Sequence, residues 1–567
     1  MIQITRHSRG LSITAPHGVD KVPSLIALTS MLADRATVSG TRVIAGIDAA
    51  ADVLLAVPED EAHWDTDILQ IAQRQRDQRA AQQRARLEVA GALECPETSL
   101  GDYAKSSRLD RHQLEAAAAI AAPSLRGISL FDEQGTGKTI STLAGFEVLR
   151  ARGDVERLLV IAPKSVLASW AGECSAFLDA GVRVATASGT AAQRRRFLLA
   201  PHDVLLVSYD VAARETTLLK TVLNARKGRY LLVVDESYMV KNPEAVRSQA
   251  VLALRPFCAR AVVLCGTPAP NRPFDIVNQV DIADEGATFS GSRPSKDAPA
   301  DEVATLLKGA VYLRRLKRDV LPTLPDKLIE KTYVPLAPEQ QKMYDAMRTD
   351  LMMEVRSVDD REFAHRLTHF LTRRVRLLQI CSHPGGLDPL YAEVPAKLRA
   401  LDRLSEDLVG AQGKKVVVWS FYRASIEAIV SRYQALGVVR IDGTVSSIDE
   451  RIRAINEFQK NPGIRMFVGN AAAAGAGITL TAAHHAIYES LSNQAAHYMQ
   501  SVDRIHRRGQ TDEVISHVLI AKNTIESSEF DRLLGKERAG RSLLGDQISD
   551  PITRERFLEA LGEPSER

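Results

Sequence analysis

From about residue 105 onward, short apolar runs rich in β-branched residues recur, each followed by a stretch of helical character. They are Ile128–Phe131, Leu158–Ala162, Val204–Val207, Leu231–Val234 and Ala261–Cys265. Runs apolar at successive positions mark strands buried on both faces, as in a parallel sheet covered by helices. A second series repeats the pattern at Val416–Trp419, Val438–Ile441, Met466–Val468, Ala486–Tyr488 and Ile515–Ile520. Between the series, residues 286–300 are rich in Gly, Ser, Pro and Asp and read as a loop, whereas 337–380 is strongly helical. The expected class is α/β, with two parallel-sheet lobes, a helical insertion and no fixed-period repeat.

The first hundred residues differ. A strand at Gly10–Ala15, a helix at Val22–Asp34, a strand at Thr41–Gly46 and a helix at Ala49–Val57 make a small α+β unit over 1–60. Residues 61–104 read as a helical linker, with Arg74, Arg76, Arg79, Arg84 and Arg86 in a Gln- and Ala-rich stretch. Because Arg outnumbers Lys throughout the chain, a solvated connector is favoured over a nucleic-acid contact. The remaining boundaries fall at 105–285 (first lobe), 286–395 (linker and insertion), 396–530 (second lobe) and 531–567 (tail).

Composition narrows the class further. The chain has 567 residues, 45% hydrophobic and 25% charged, the balance of a soluble globular protein. No apolar run approaches the ~20 residues of a membrane span. With 73 Lys+Arg against 70 Asp+Glu, the net charge of +3 gives no bulk argument for nucleic acid. Five scattered cysteines without CxxC spacing read as reduced thiols. The first thirty residues lack a signal-peptide pattern, so the expected location is the cytoplasm or nucleoid of a bacterial or virus-infected cell.

Chemistry enters at Asp132-Glu133-Gln134-Gly135-Thr136-Gly137-Lys138-Thr139, directly after a strand and opening a helix. Gly135 and Gly137 let backbone N–H groups crowd a phosphate, and the helix N-terminus adds oriented donors. Lys138 would reach the β/γ-phosphates and the Thr139 hydroxyl would ligate magnesium. Asp132 stands where the strict pattern asks for Gly, with Gly135 supplying a glycine inside the loop. The second half of a nucleotide site follows the strand at 231–234: Asp235 would hold magnesium, and Glu236 would orient and deprotonate the attacking water.

These two elements resemble motifs I and II of superfamily-two helicase-like ATPases. The segments LLVIAPKSVLASWAGE (158–173), VLLVSYD (204–210), VKNPEAVRSQA (240–250) and CGTPAPN (265–271) resemble those of the Swi/Snf-type ATPases. So do YLRRLKRDVLPTLPDK (312–327), LAPEQQKMY (336–344) and RLLQICSHP (376–384). In the second lobe KVVVWSFY (415–422), DGTVSSIDER (442–451), AAAGAGITLTAAHHAIYES (472–490) and QSVDRIHRRGQ (500–510) are similar to motifs IV to VI. Two departures stand out. Tyr238 replaces the usual His or Asp of the acidic box, and Ser490-Leu491-Ser492-Asn493 keeps only the Asn of an aromatic-rich segment.

The resemblance implies two RecA-like lobes and an ATP site between them. Arg504 and Arg507 would act as fingers from the second lobe, Gln113 would read the adenine, and Thr136, Gly475, Gly477 and Gln500 would line the nucleotide. Lys164, Ser165 and Ser208 on one lobe, and Ser420, Thr444, Arg451 and Thr479 on the other, would touch DNA phosphates. ATP and Mg are the implied cofactors, and double-stranded DNA is the implied partner. The implied activity is that of a DNA-dependent ATPase translocating on duplex. A strand-separating or fork-annealing helicase is one alternative, and a non-catalytic, ATP-switched subunit of a DNA-processing or defence complex is another. The N-terminal unit is expected to be structural or to dock a protein partner. Its alternative is a fork-binding module, since its βαβα pattern faintly resembles the small module beside annealing-helicase members of the family.

Overall fold

A computed structural model describes residues 2–533, apart from 9, 33–35, 226–228, 270–271, 291, 446, 475–477 and 493–494. Three sheets organise it. The first runs in the order β3-β4-β2-β1-β5, from β1 (Ile2–His7), β2 (Gly10–Thr14), β3 (Ala36–Ser39), β4 (Arg42–Ala45) and β5 (Ala62–Trp64). It is mixed, β1 pairing antiparallel with β2 and parallel with β5. Helices Pro23–Leu32 and Ala50–Ala56 help to close its core, which includes Ile4, Ile13, Leu25, Leu28 and Val53.

The other two sheets are parallel throughout. Lobe 1 has the order β12-β6-β11-β10-β7-β9-β8, from β6 (Gly127–Leu130), β7 (Arg157–Ala162), β8 (Val184–Ala187), β9 (Val204–Ser208), β10 (Tyr230–Asp235), β11 (Arg260–Leu264) and β12 (Tyr312–Leu313). Alternate residues feed two cores: Leu158, Val160, Leu231 and Val233 on one face, Leu159, Ile161, Leu232 and Val234 on the other. Gly127 is fixed by space, because a Cβ there would lie 1.9 Å from the Ala283 carbonyl oxygen. Lobe 2 has the order β13-β18-β17-β14-β16-β15, from β13 (Lys327–Val334), β14 (Val416–Trp419), β15 (Val438–Ile441), β16 (Met466–Gly469), β17 (His485–Tyr488) and β18 (Val514–Ala521). The stretch expected as linker and insertion thus supplies one strand to each large sheet, besides an antiparallel-looking helix pair at Pro338–Arg356 and Asp360–Ser382.

The Arg/Gln-rich segment is one helix, Thr66–Glu94, that packs along most of its length. Ile68 and Ala72 enter the N-terminal core, while Ala85, Val89 and Ala92 enter that of lobe 1. Arg79 pairs with Asp52 at 2.6 Å and donates to the Ser290 carbonyl at 2.7 Å. Among the described residues, no helix is long and apolar enough to cross a membrane.

Candidate functional site

The site begins where β6 ends. Gly135 and Gly137 hold φ of 86° and 88°, in the left-handed region that glycine enters without strain, and Gly137 caps the helix Lys138–Ala151. Lys138 Nζ donates to the loop's own carbonyls, Asp132 at 2.8 Å and Glu133 at 3.2 Å, while Gln134 Oε1 is a buried acceptor with no hydrogen-bond partner. A flexible ammonium turned back on its own loop suits a loop that closes around phosphate. Gln113 braces the loop: its Nε2 donates to the Thr136 carbonyl at 3.2 Å and its Oε1 accepts from Asp110 N at 3.1 Å.

The end of β10 delivers the acidic pair. Asp235 Oδ2 accepts from Trp170 Nε1 at 2.8 Å, and Oδ1 accepts from Glu236 N at 2.8 Å. Glu236 adopts φ 52°, an uncommon backbone for a residue with a side chain and one concentrated at functional positions. Its carboxylate accepts from Gln134 and Gln500, each at 3.4 Å. Burial, reinforced by the neighbouring Asp235, pushes the Glu236 carboxyl up to about 7. Burial also raises Asp235, against the pull of Trp170 and Lys138. Glu173 is lifted to about 7 by burial, and its carboxylate accepts from Ser169 Oγ at 3.5 Å. Thr139 and Asp235 are the groups suited to magnesium, which takes few protein ligands and the substrate's phosphates. Among the described residues, no three His, Cys, Asp or Glu side chains gather into a metal cluster.

Lobe 2 closes the other side. Arg504 is only 2% exposed, and burial followed by Arg507 brings its guanidinium down to about 9. Arg507 donates to Thr479 Oγ1 at 3.2 Å, and its Cγ would lie 3.7 Å from a Cβ on Gly135. Gln500 reaches Tyr238 Oη at 3.5 Å as well as Glu236, so the unusual tyrosine of the acidic box faces the second lobe. Gly475 and Gly477 lie outside the described residues.

The segment joining the lobes is fastened to the phosphate loop. Arg315 forks onto Asp132, with Nε 3.1 Å from Oδ1, and pairs with Glu115 at 3.2 Å. Asp132, the departure from the strict glycine pattern, is therefore an anchor for the connector. Lys317 N donates to Glu133 at 2.9 Å, while its Nζ reaches Asp503 at 2.5 Å and the His506 carbonyl at 2.9 Å. Sequence reasoning missed Trp170, Glu173, Arg315 and Lys317 as site residues. The Trp and Glu of segment 158–173 and the RRLK run were visible, but nothing local showed where they point.

The residues assigned to phosphate contact divide. Lys164 and Ser165 are exposed on lobe 1, and Thr444 is exposed on lobe 2, where it donates to Asp442 at 2.5 Å. Arg451 packs on the same turn, its Nε donating to the Val445 carbonyl at 2.8 Å. Ser208 is buried as the cap of helix Tyr209–Arg214, and Ser420 is buried while donating to Glu489 at 2.8 Å. Thr479 is held by Arg507.

The SNF2-related domain model matches residues 82–386, and the helicase conserved C-terminal domain model matches 396–509. The chain is 28% identical over 414 residues to an uncharacterized ATP-dependent helicase of Mycoplasma genitalium, which covers 70% of this chain. It is 28% identical over 446 residues to the DNA annealing helicase and endonuclease ZRANB3 of Mus musculus, covering 73% of this chain. It spans 38% of the length of each of these relatives. The Sulfolobus solfataricus SWI2/SNF2 ATPase core in complex with dsDNA is 26% identical, with 77% of this chain and 94% of that one covered and a TM-score of 0.36. The SNF2-related match takes in more than half of the chain, and the protein is accordingly a member of the SNF2-related family of helicase-type ATPases.

Proposed function

We propose that the chain is an ATP-driven motor that tracks along double-stranded DNA. The observation that carries this reading is a site composed from both lobes: Arg507 rests on Gly135 and Gln500 reaches Glu236. Such a site makes lobe closure respond to nucleotide. Lys138 would exchange its loop carbonyls for phosphate oxygens. Thr139 and Asp235 would hold magnesium, which when bound neutralises phosphate charge. Glu236 would orient the attacking water and take its proton, while Arg504 and Arg507 would stabilise charge on the transferring group. A cleft of about 460 Å³ lined by Asp110, His112, Leu321, Arg508 and Gln510 is roomy enough for the base and ribose.

Lys164 and Ser165 on one lobe, and Thr444 and Arg451 on the other, would grip the phosphate backbone. Two grips that shift relative to each other make a ratchet, and backbone contact carries little sequence specificity. The names of the relatives, an ATP-dependent helicase and a DNA annealing helicase, support DNA as the track.

The test is steady-state ATP turnover with duplex DNA, single-stranded DNA or RNA, run beside a strand-release assay. Duplex should stimulate turnover most, without release. Absence of stimulation by duplex overturns the proposal, and release on a forked substrate would point to strand separation instead. Replacing Trp170 with Phe removes the donor to Asp235. The magnesium concentration for half-maximal turnover should then rise about 10–100-fold, the usual effect of losing a group that orients a metal ligand. An unchanged magnesium titration would show that Asp235 needs no such support.

A further inference from the structure

The helix pair between the lobes carries its charge unevenly. On the first arm, Pro338–Arg356, acids and bases alternate, with Lys342, Asp345 and Asp350 all exposed. On the second, Asp360–Ser382, no Asp or Glu occurs from 363 to 382, against four arginines and two histidines. Part of that charge is used locally. Arg366, His369 and Arg373 converge on Glu354, Arg366 also reaches Glu362 at 3.4 Å, and Arg374 pairs with Glu529.

The outward row is different. Arg361, His365, Thr368, Thr372 and Arg376 follow at intervals of three or four residues, along one helical face, and all five are exposed. Arg361 and Arg376 take no carboxylate partner among the described residues. The chain's arginine bias does not explain the row, because the same bias acts on the first arm, where the signs are mixed. Segregation of charge by face is what calls for a partner.

Position says which partner. Tyr422 Oη donates to the Val375 carbonyl at 3.4 Å, and Ser382 Oγ donates to Glu489 at 2.6 Å. The C-terminal end of the row thus adjoins the Ser420–Tyr422 loop of lobe 2. From Arg361 to Arg376 the row rises about 22 Å, at about 1.5 Å per residue. That equals the rise of roughly six base pairs at about 3.4 Å each. Guanidinium groups at the two ends of that length, with the Thr368 hydroxyl between them, match a run of phosphates, the Thr372 hydroxyl donating instead to the Thr368 carbonyl at 2.8 Å.

We propose that this face of the 360–382 helix is an auxiliary phosphate-binding surface, gripping duplex DNA beyond the stretch held by the two lobes. It rests on the duplex reading above. An acidic protein segment would match the charge, but the continuity with the lobe 2 loop favours DNA.

The experiment uses the full chain carrying Arg361→Gln and Arg376→Gln together, with Lys342→Gln on the first arm as control. Duplex affinity is measured by fluorescence anisotropy over a salt series. Losing two phosphate contacts should make the slope of log K against log salt shallower by about 1.8, at about 0.9 per contact, with weakening uniform across sequences. The melting midpoint should stay at the wild-type value, since both side chains are exposed, and the control should bind as wild type does. A wild-type slope and affinity in the double variant overturn the inference. Loss of binding to labelled polyglutamate at an unchanged DNA slope would also overturn it, assigning the face to an acidic protein. Should duplex neither bind nor stimulate the wild-type chain, the translocase reading fails first. If duplex stimulates the wild type yet the variant is indistinguishable, this inference alone fails.

Discussion

Glu236→Gln will leave ATP bound and almost unhydrolysed. The substitution keeps the volume, the positive φ and one carbonyl oxygen to accept from Gln134 or Gln500, but it removes the group that takes a proton. A positioned general base contributes about 10²–10⁴-fold, and it works best with a pKa near the operating pH. Burial together with Asp235 places Glu236 there, at about 7. Turnover should fall by about 10²–10⁴-fold, while the dissociation constant for a fluorescent ATP analogue moves by a few-fold at most. Single-turnover hydrolysis and nucleotide titration on the same preparation check both halves. A turnover within about threefold of wild type would mean that the proton goes elsewhere.

The second large effect is expected at Lys317. It is 3% exposed, its partner Asp503 is 6% exposed, and their 2.5 Å contact spans the connector and lobe 2. Burial opposes ionisation of Asp503, yet Lys317, Lys327 and Arg504 hold its carboxyl below the usual range. Lys317→Met removes the ion-pair partner in contact with that buried charge, a change that costs about 3–5 kcal/mol. The cost falls on lobe docking, because the lost ammonium also donates to the His506 carbonyl beside Arg507, while the backbone N–H that holds Glu133 in the phosphate loop is kept. At about 1.4 kcal/mol per decade, the closed population and the turnover that depends on it should drop by about 10² to 4×10³-fold. Inter-lobe fluorescence transfer reports the first quantity and ATP turnover the second. The double variant Lys317→Met with Asp503→Leu should recover most of the closed population, since an apolar pair of similar volume is often neutral. Equal loss in single and double variants would show that the charges themselves, not their pairing, are required.

Much of the architecture was legible because buried parallel strands announce themselves. Leu231–Val234 and Val416–Val418 are apolar at every position and flanked on both sides in their sheets. Edge strands announce themselves less evenly: β15 (Val438–Ile441) is apolar enough to be read, but others are not. β8 and β13 each pair on one side only and carry partly exposed residues, so Val184–Ala187 and Lys327–Val334 do not read as strands from the sequence. The site divides in the same way. The phosphate loop and the acidic pair are contiguous in sequence, so their chemistry can be named from spacing alone. Trp170 meets Asp235 across 65 residues of chain, and Lys317 meets Asp503 across 186, so only folding reveals those partnerships. Asp132 is instructive: an apparent lapse in a glycine pattern is half of an ion pair whose other half, Arg315, lies 183 residues away.

The helix Thr66–Glu94, about 44 Å long at about 1.5 Å per residue, has one further consequence. Its partners beyond the N-terminal sheet are Asp284, Thr288, Ser290, Gly309 and Ser124, all carried by lobe 1. When the lobes move against each other, residues 2–64 travel with lobe 1 as cargo bolted to one jaw. A partner bound there would be held at a constant distance from the phosphate loop, and the proposed stroke would reach it as a displacement of lobe 2.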